Sequence, residues 1–351
     1  MLSAAMAPVT RVPSLRLPGV GLWRTWRVTG RGDLIAGLAV AAYLVPQCLA
    51  YARLAGLRPI AGLWAALPAL LAYALLGTSP ALSIGPESAS ALIVASTVAS
   101  LARPGVNAPA IAAALAFAVG VICLLAWVIR LGFLADLLSK PVLVGYLAGV
   151  SITMIASQLP TLTGIAVDHR DTLGRTRDTV SGFRALDPRP LLMGAAVVAA
   201  LLVAQRFKRA PGALIVVLAA TVITSALQLT RHGIQTVGSV PRGLPQVTFP
   251  SLPVGLWIRI VVDAAGVALV VFSGDILTGR AFAHNGAQRI DADQELLALG
   301  GANALAGLVG GFPVSSSDSR AALAVATGGA SQLASVVSAG CVLVVLLFAG
   351  P

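Results

Sequence analysis

Two segments, far apart in the chain, place glycine, proline and small hydroxyl residues immediately before a short apolar run. They are residues 83–90 (SIGPESAS) and residues 311–320 (GFPVSSSDSR). Proline is accepted in the first turn of a helix, and each apolar run is too short to cross a bilayer. The pattern predicts two half-helices over 84–101 and 312–327, each preceded by extended chain. The alternative is that glycine and proline only kink packed helices.

Two helix N-termini that face each other offer unpaired N–H groups and positive dipole ends, which suit a bound anion. The first half-helix would contribute Ser88 and Ala89, and the second would contribute Ser317, Ser319 and Arg320. These five positions are the predicted anion donors.

Arg320 carries the strongest of these predicted interactions, because a guanidinium offers a planar fork of donors. Placing arginine inside a membrane costs about 2.5–3.5 kcal/mol, so a function or a partner is expected. A structural ion pair with Asp318 is the alternative, although adjacent helical residues point about 100° apart. Glu87 is also expected at the substrate site, where it would repel an anion unless it is protonated or paired with Arg320.

Enzyme chemistry has no support in the sequence. It contains no nucleophile–histidine–acid set, no HExxH motif, no phosphate-binding loop and no dinucleotide fingerprint. The three cysteines lie in apolar runs without metal-ligand spacing, and the three histidines lie in polar connections. We therefore expect no catalytic residues, no metal site and no resident cofactor.

The composition predicts a membrane protein that crosses the bilayer many times. Of the 351 residues 57% are hydrophobic and only 11% are charged, against roughly 25% in soluble domains. The net charge of +11 is scattered over short connections without interleaved aromatic residues, which argues against a nucleic-acid partner. Membrane topology and lipid headgroups account for this charge better.

Eleven apolar segments are candidate spans, and two of them are short. The basic, acid-free residues 1–32 predict a cytoplasmic N-terminal arm, and the polar stretch 167–190 predicts an external loop. The segments are 34–52, 59–76, 87–101, 108–130, 132–158, 190–205, 211–229, 255–276, 294–310, 316–327 and 332–350.

Several motifs resemble those of one family in order and spacing. Residues 44–52 (LVPQCLAYA) and 54–59 (LAGLRP) resemble the PQxxAYA…LAGLPP signature of the sulfate permease (SulP) family of anion transporters. Further matches are GLW at 62–64, YALLGTS at 73–79, LSIGP at 82–86, RAFA at 280–283, DQEL at 293–296, Gly300, Asn303, GGFP at 310–313 and SR at 319–320.

The resemblance implies an all-α, seven-plus-seven inverted-repeat fold in which a core domain moves against a gate domain. Core spans would cover about 33–135 and 255–350, and gate spans about 136–230. In the family, a glutamine and an aromatic residue at the positions of Gln47 and Tyr51 approach the anion. An interhelical hydrogen bond from Gln47 is the alternative.

Asp275 is the expected coupling residue, since family members carry an acid in this region, which binds sodium in bicarbonate-transporting relatives. With the hydroxyl of Thr278 it would hold Na⁺, or it would bind a proton, because burial favours a neutral carboxyl group. The alternative is a carboxylate at the membrane boundary that faces Arg280.

The sequence departs from the family pattern at its end, since Pro351 follows the eleventh of fourteen expected spans and no STAS domain is present. The primary hypothesis is secondary active transport of sulfate, bicarbonate or a dicarboxylate by alternating access. We expect a homodimer, as in the family, in the inner (plasma) membrane. The alternatives are a truncated non-transporting remnant, a subunit of a split transporter and a nucleobase permease of related fold.

Overall fold

A computed structural model of the chain describes residues 17–101, 103, 106–137, 172–182, 188–204, 206, 212–229, 243–282 and 290–348, with single residues between 145 and 165. The described part is helical. After a 3₁₀ turn at Pro18–Gly21 come α1 (Leu22–Leu54), α2 (Ile60–Leu76), α3 (Ser88–Leu101), α4 (Ala108–Val128), a 3₁₀ turn (Leu131–Phe133), α5 (Leu134–Leu137), α6 (Thr172–Ser181), α7 (Pro188–Ala204), α8 (Gly212–Ala226), α9 (Val254–Phe282), α10 (Ala292–Leu308), α11 (Asp318–Ala326) and α12 (Leu333–Phe348).

Most of the predicted segments appear as helices with similar ends. Among the described helices, three are long and apolar enough to cross a membrane: Thr29–Leu54 within α1, then α4 and α9. The helices α2, α3, α7 and α12 are apolar but shorter, with 10–17 residues each. The two shortest predicted segments correspond to α3 and α11, which have 14 and 9 residues.

Three expectations change. Helix α1 begins at Leu22, so residues 22–32 of the predicted arm are helical. The predicted loop at 167–190 contains the ten-residue helix α6, whose polar composition hid it from the apolar pattern. Of the predicted span 132–158, residues 132–137 form the end of a 3₁₀ turn and α5, and most of the remainder lies outside the described residues.

Small residues hold the core helices together. A Cβ added at Gly120 would lie 2.3 Å from the backbone nitrogen of Ala304, and one at Gly307 would lie 2.5 Å from that of Phe117. Helices α4 and α10 therefore touch along their backbones, which is how helices associate without a hydrophobic driving force between them. This packing carries the two short helices, because α10 leads directly into the segment before α11.

The turn after α10 depends on one glycine. Gly310 has φ +74°, a left-handed conformation that side chains disfavour, and it follows the C-terminal end of the helix. The chain then runs extended through 311–317 before α11 begins at Asp318. The extended chain is what brings the second short helix to the first.

Candidate functional site

The extended segments before α3 and α11 pair with each other. Gly85 and Ser315 form an antiparallel bridge, in which each backbone N–H donates to the other residue's carbonyl oxygen at 3.0 Å. Both short helices begin three residues after this bridge, at Ser88 and Asp318. They begin later than the predicted positions 84 and 312, because the Gly-Pro and Phe-Pro stretches are extended. The expected pair of adjoining short helices is present.

Arg320 joins the two segments from inside. Its side chain is fully buried, although Arg320 lies in the first turn of α11. Nε and Nη2 donate to the carbonyl oxygen of Ser83 at 3.3 and 3.2 Å, and Nη1 donates to that of Pro86 at 2.9 Å. Nη2 also approaches the carbonyl oxygens of Gly85 and Ser315, at 3.5 and 3.2 Å.

The remaining N–H of Arg320 is directed at Gln47. Nη1 donates to Gln47 Oε1 at 3.3 Å, so protein oxygens face all five N–H groups of the guanidinium. Within the described residues Asp318 does not pair with Arg320, and it accepts a hydrogen bond from Thr278 instead. The geometry therefore matches neither a fork open to an anion nor the ion pair. A direct contact between Arg320 and an anion stays a prediction.

The first short helix has its N-terminus covered by its own carboxylate. Glu87 Oε2 accepts the backbone N–H groups of Ala89 and Ser90 at 2.7 and 3.3 Å, and Oε1 accepts the Ser88 hydroxyl. Ser88 and Ala89 are the residues expected to donate to an anion. The structure thus places a carboxylate of the protein where the sequence predicts the ligand.

The second short helix has an uncovered N-terminus. Ser317 occupies the N-cap position with extended backbone, and its side chain accepts no capping hydrogen bond. Asp318 and Ser319 are exposed, and the hydroxyl of Thr278 donates to Asp318 Oδ1 from α9. The N–H groups of the first turn of α11 therefore receive no cap from the Ser317 side chain, in contrast to those of α3.

Gln47 and Tyr51 lie beside the covered helix. Gln47 Nε2 lies 3.4 Å from the Tyr51 hydroxyl, and that hydroxyl also interacts with the side chains of Ser88 and Glu87. Gln47 also accepts the bond from Arg320, so the interhelical hydrogen bond left open by the sequence is present. The five residues Gln47, Tyr51, Glu87, Ser88 and Arg320 form one connected polar group.

The expected coupling residue lies in a second polar group. Asp275 is fully buried, and neither carboxylate oxygen has a hydrogen bond of ordinary geometry. It faces Glu295 and Ser316, and its burial does not fit the alternative of a boundary carboxylate. Thr278, the expected second ligand, is bonded to Asp318 instead.

Glu295 is the residue that the sequence analysis missed. Glu295 is fully buried near the start of α10. Its carboxylate accepts hydrogen bonds from the Tyr73 hydroxyl at 2.8 Å, from the Thr78 N–H at 2.9 Å and from the Thr78 hydroxyl. An acidic residue at the start of an apolar helix is a signal for a buried functional group, but within the DQEL motif Glu295 does not stand out from Asp293. The described residues contain no cluster of three or more metal-ligating side chains.

Comparisons with known proteins agree on one family. The family model described as "Sulfate permease family" matches residues 31–351. The chain is 47% identical over 335 residues to "Probable sulfate transporter MT1781" of Mycobacterium tuberculosis (strain CDC 1551 / Oshkosh), covering 95% of this chain and 60% of that protein. It is 32% identical to human "Sulfate anion transporter 1", covering 91% of this chain and 52% of that protein.

Solved structures confirm the fold class. Murine Slc26a9, described as an anion transporter in the inward-facing state, superposes with a TM-score of 0.87 at 22% identity, covering 99% of this chain and 61% of that one. The transmembrane domain of a cyanobacterial bicarbonate transporter, BicA, gives 0.82 at 23% identity, covering 92% and 83%. The chain thus has the predicted all-α, inverted-repeat transporter fold, and it spans about 60% of the curated M. tuberculosis relative.

Proposed function

Because the chain belongs to the sulfate permease family, we propose that it carries the anion site of a membrane transporter for sulfate or a similar small anion, such as bicarbonate or a dicarboxylate. One observation carries the proposal: the uncovered N-terminus of α11 opens beside that of α3, which the Gly85–Ser315 bridge holds in place. Helix N-termini bind oxyanions through backbone N–H groups, and they need no bound metal to do so.

The proposed anion site lies at the start of α11. The N–H groups after Ser317 and the hydroxyl of Ser319 would donate to the anion, with Tyr51 across from them. The Arg320 guanidinium is buried behind the Gly85–Ser315 bridge. It would add positive potential at the site without hydrogen-bonding to the anion. Alternating access would follow from movement of the core helices, among them α3, α4, α10 and α11, against the gate helices α7 and α8.

Cation coupling is the second part of the proposal. Two buried carboxylates that face each other are costly unless a proton or a cation lies between them. Asp275 and Glu295 meet this description, and Ser316 adds oxygens of the kind that Na⁺ accepts. Because Ser316 immediately precedes the N-cap of α11, an ion bound at Asp275 would act directly on the start of that helix.

The proposed setting is the plasma membrane, with a cytoplasmic N-terminus and a homodimeric assembly, as expected for the family. Lipid would surround the exposed apolar faces, and no part of the proposal requires an enzymatic step.

The test is counterflow in liposomes that contain the purified chain. Labelled sulfate should accumulate against internal unlabelled sulfate, and bicarbonate or fumarate should compete to different extents. Protein-free liposomes are the control. Competition by uracil without competition by any anion would assign the nucleobase class. Absence of both counterflow and sulfate-dependent thermal stabilisation would contradict the anion site and favour the remnant or the subunit.

A further inference from the structure

Glu87 occupies donors that the proposed function needs. Its carboxylate oxygens accept two backbone N–H groups and one hydroxyl at the start of α3, the set of donors that a helix N-terminus presents to an oxyanion. A carboxylate shares its charge and its oxygen acceptors with bicarbonate and with dicarboxylates. The side chain therefore resembles a bound anion that is tethered to the chain.

A second carboxylate shows what a purely structural contact of this kind looks like. Asp33 Oδ1 accepts the N–H groups of Ala330 and Ser331 at 2.8 and 2.9 Å, and Oδ2 accepts the Ser331 hydroxyl at 2.6 Å. Asp33 is fully buried and fastens α1 to the segment before α12. Glu87 makes the same three contacts, but it is only half-buried and binds its own helix.

Glu87 attracts the nearest cation, Arg320, without a direct contact between them among the described residues. The N–H groups of Arg320 are directed at backbone carbonyls and at Gln47, and within the described residues no ion pair joins Arg320 to Glu87. The groups that face Glu87 from neighbouring helices are Tyr51 on α1 and Arg320 on α11. A half-buried carboxylate without a paired cation can leave its donors at moderate cost, unlike a fully buried one.

We propose that the Glu87 carboxylate and the transported anion are alternative occupants of the N-terminus of α3, so that an anion bound at α11 completes its coordination only when Glu87 leaves. The inference rests on the proposed function. It assigns Glu87 the role of a tethered competitor that sets the affinity for anions.

The test compares sulfate affinity in two substitutions of Glu87. Glu87→Gln removes the charge and keeps the size, so sulfate should bind about tenfold more tightly, because a neutral acceptor holds the N–H groups about half as strongly. Glu87→Asp keeps a charged N-cap acceptor, so its sulfate affinity should change much less than that of Glu87→Gln. Titration of purified protein with sulfate measures both.

A second carboxylate cap provides the matched control. Asp291 caps α10 by accepting the Gln294 N–H. Asp291→Asn removes the charge of that cap in the same way and should leave the sulfate affinity unchanged.

The outcomes separate the two proposals. If the unsubstituted chain binds no sulfate, bicarbonate or fumarate, the proposed function fails. If it binds an anion and Glu87→Gln leaves the affinity unchanged, the competitor role is wrong while the site stands. A thermal melt of each variant establishes that it is folded. Glu87→Ser, which also removes the charge and keeps an N-cap acceptor, takes the place of Glu87→Gln should that variant not fold, and it should likewise bind sulfate more tightly.

Discussion

The two short helices are alike in sequence pattern but differ in whether a side chain binds the N–H groups at their N-terminus. Helix α3 starts with its N–H groups bound by Glu87, whereas α11 starts at Ser317 with no side-chain cap. Arg320 crosses the Gly85–Ser315 bridge in the other direction, from α11 to carbonyl oxygens before α3. The comparison shows that two half-helices with similar sequence patterns need not offer the same free donors to an anion. One end is closed by the protein and the other is open.

The largest effect is expected at Arg320, which connects the two helices. Arg320→Ala leaves several buried carbonyl oxygens without donors, and each such loss costs about 1–3 kcal/mol. We therefore expect the free energy of unfolding to fall by about 3 kcal/mol or more, measured by thermal denaturation in detergent. Arg320→Lys keeps the charge but loses the planar fork of donors. Its free energy of unfolding should lie between those of the unsubstituted chain and Arg320→Ala.

Anion affinity separates the possible roles of Arg320. If Arg320→Lys keeps the stability of the unsubstituted chain but loses sulfate affinity by one or two orders of magnitude, Arg320 contacts the anion directly. Lost stability with unchanged affinity in the folded fraction would leave the residue as the connection between the half-helices.

The next effect concerns Asp275 and Glu295, the proposed coupling residues. Asp275 has no hydrogen-bonding partner of ordinary geometry and faces Glu295, so Asp275→Asn should abolish the dependence of uptake on a proton or sodium gradient at little cost in stability. Glu295→Gln is the matched variant. It disturbs the bonds from Tyr73 and Thr78, and it should lower thermal stability as well.

Gradient dependence that persists in Asp275→Asn with the same stoichiometry would exclude Asp275 as the coupling residue. Loss of uptake in both variants, without any gradient applied, would instead indicate that the pair shapes the anion site itself.

Closing the open end provides a smaller and more specific effect. Ser317→Asp places a charged acceptor at the N-cap of α11, so both helices would then be closed by the protein. Helix stability should rise by about 0.3–1 kcal/mol from the charge at the helix dipole. Sulfate affinity should fall about tenfold, the reverse of Glu87→Gln. Ser317→Asn, a neutral N-cap residue, is the control in the same titration. Equal affinity in both variants would place the anion elsewhere.

The smallest effect is expected for Ser317→Ala. A genuine N-cap serine is worth about 0.5–2 kcal/mol, but the Ser317 side chain makes no capping bond. The substitution should therefore change the unfolding free energy by less than about 0.5 kcal/mol. A loss of about 0.5–2 kcal/mol in unfolding free energy would show that the Ser317 side chain does cap α11. The N-termini of α3 and α11 would then both be capped, contrary to the difference described above.

Local sequence was sufficient to locate the two short helices. Gly-Pro followed by hydroxyl residues and a short apolar run marked both half-helices, since proline, helix starts and hydrophobic length act within a few residues of each other. Composition indicated a membrane protein, and the motif at 44–59 indicated the family, which the comparisons confirm. Helix α6 and the early start of α1 were missed because arginines and other polar residues interrupt the apolar pattern in both.

The partners of the polar side chains were decided by the tertiary structure. Arg320 meets the carbonyl oxygens of Ser83 and Pro86 across more than 230 positions of sequence, and Asp275 meets Glu295 between two helices. Residue types define which groups can donate or accept, whereas the close approach of distant segments determines which of them meet. Even Glu87, whose partners are only one to three residues away, required the structure, because the same carboxylate has the reach to pair with arginine, face water or close its own helix.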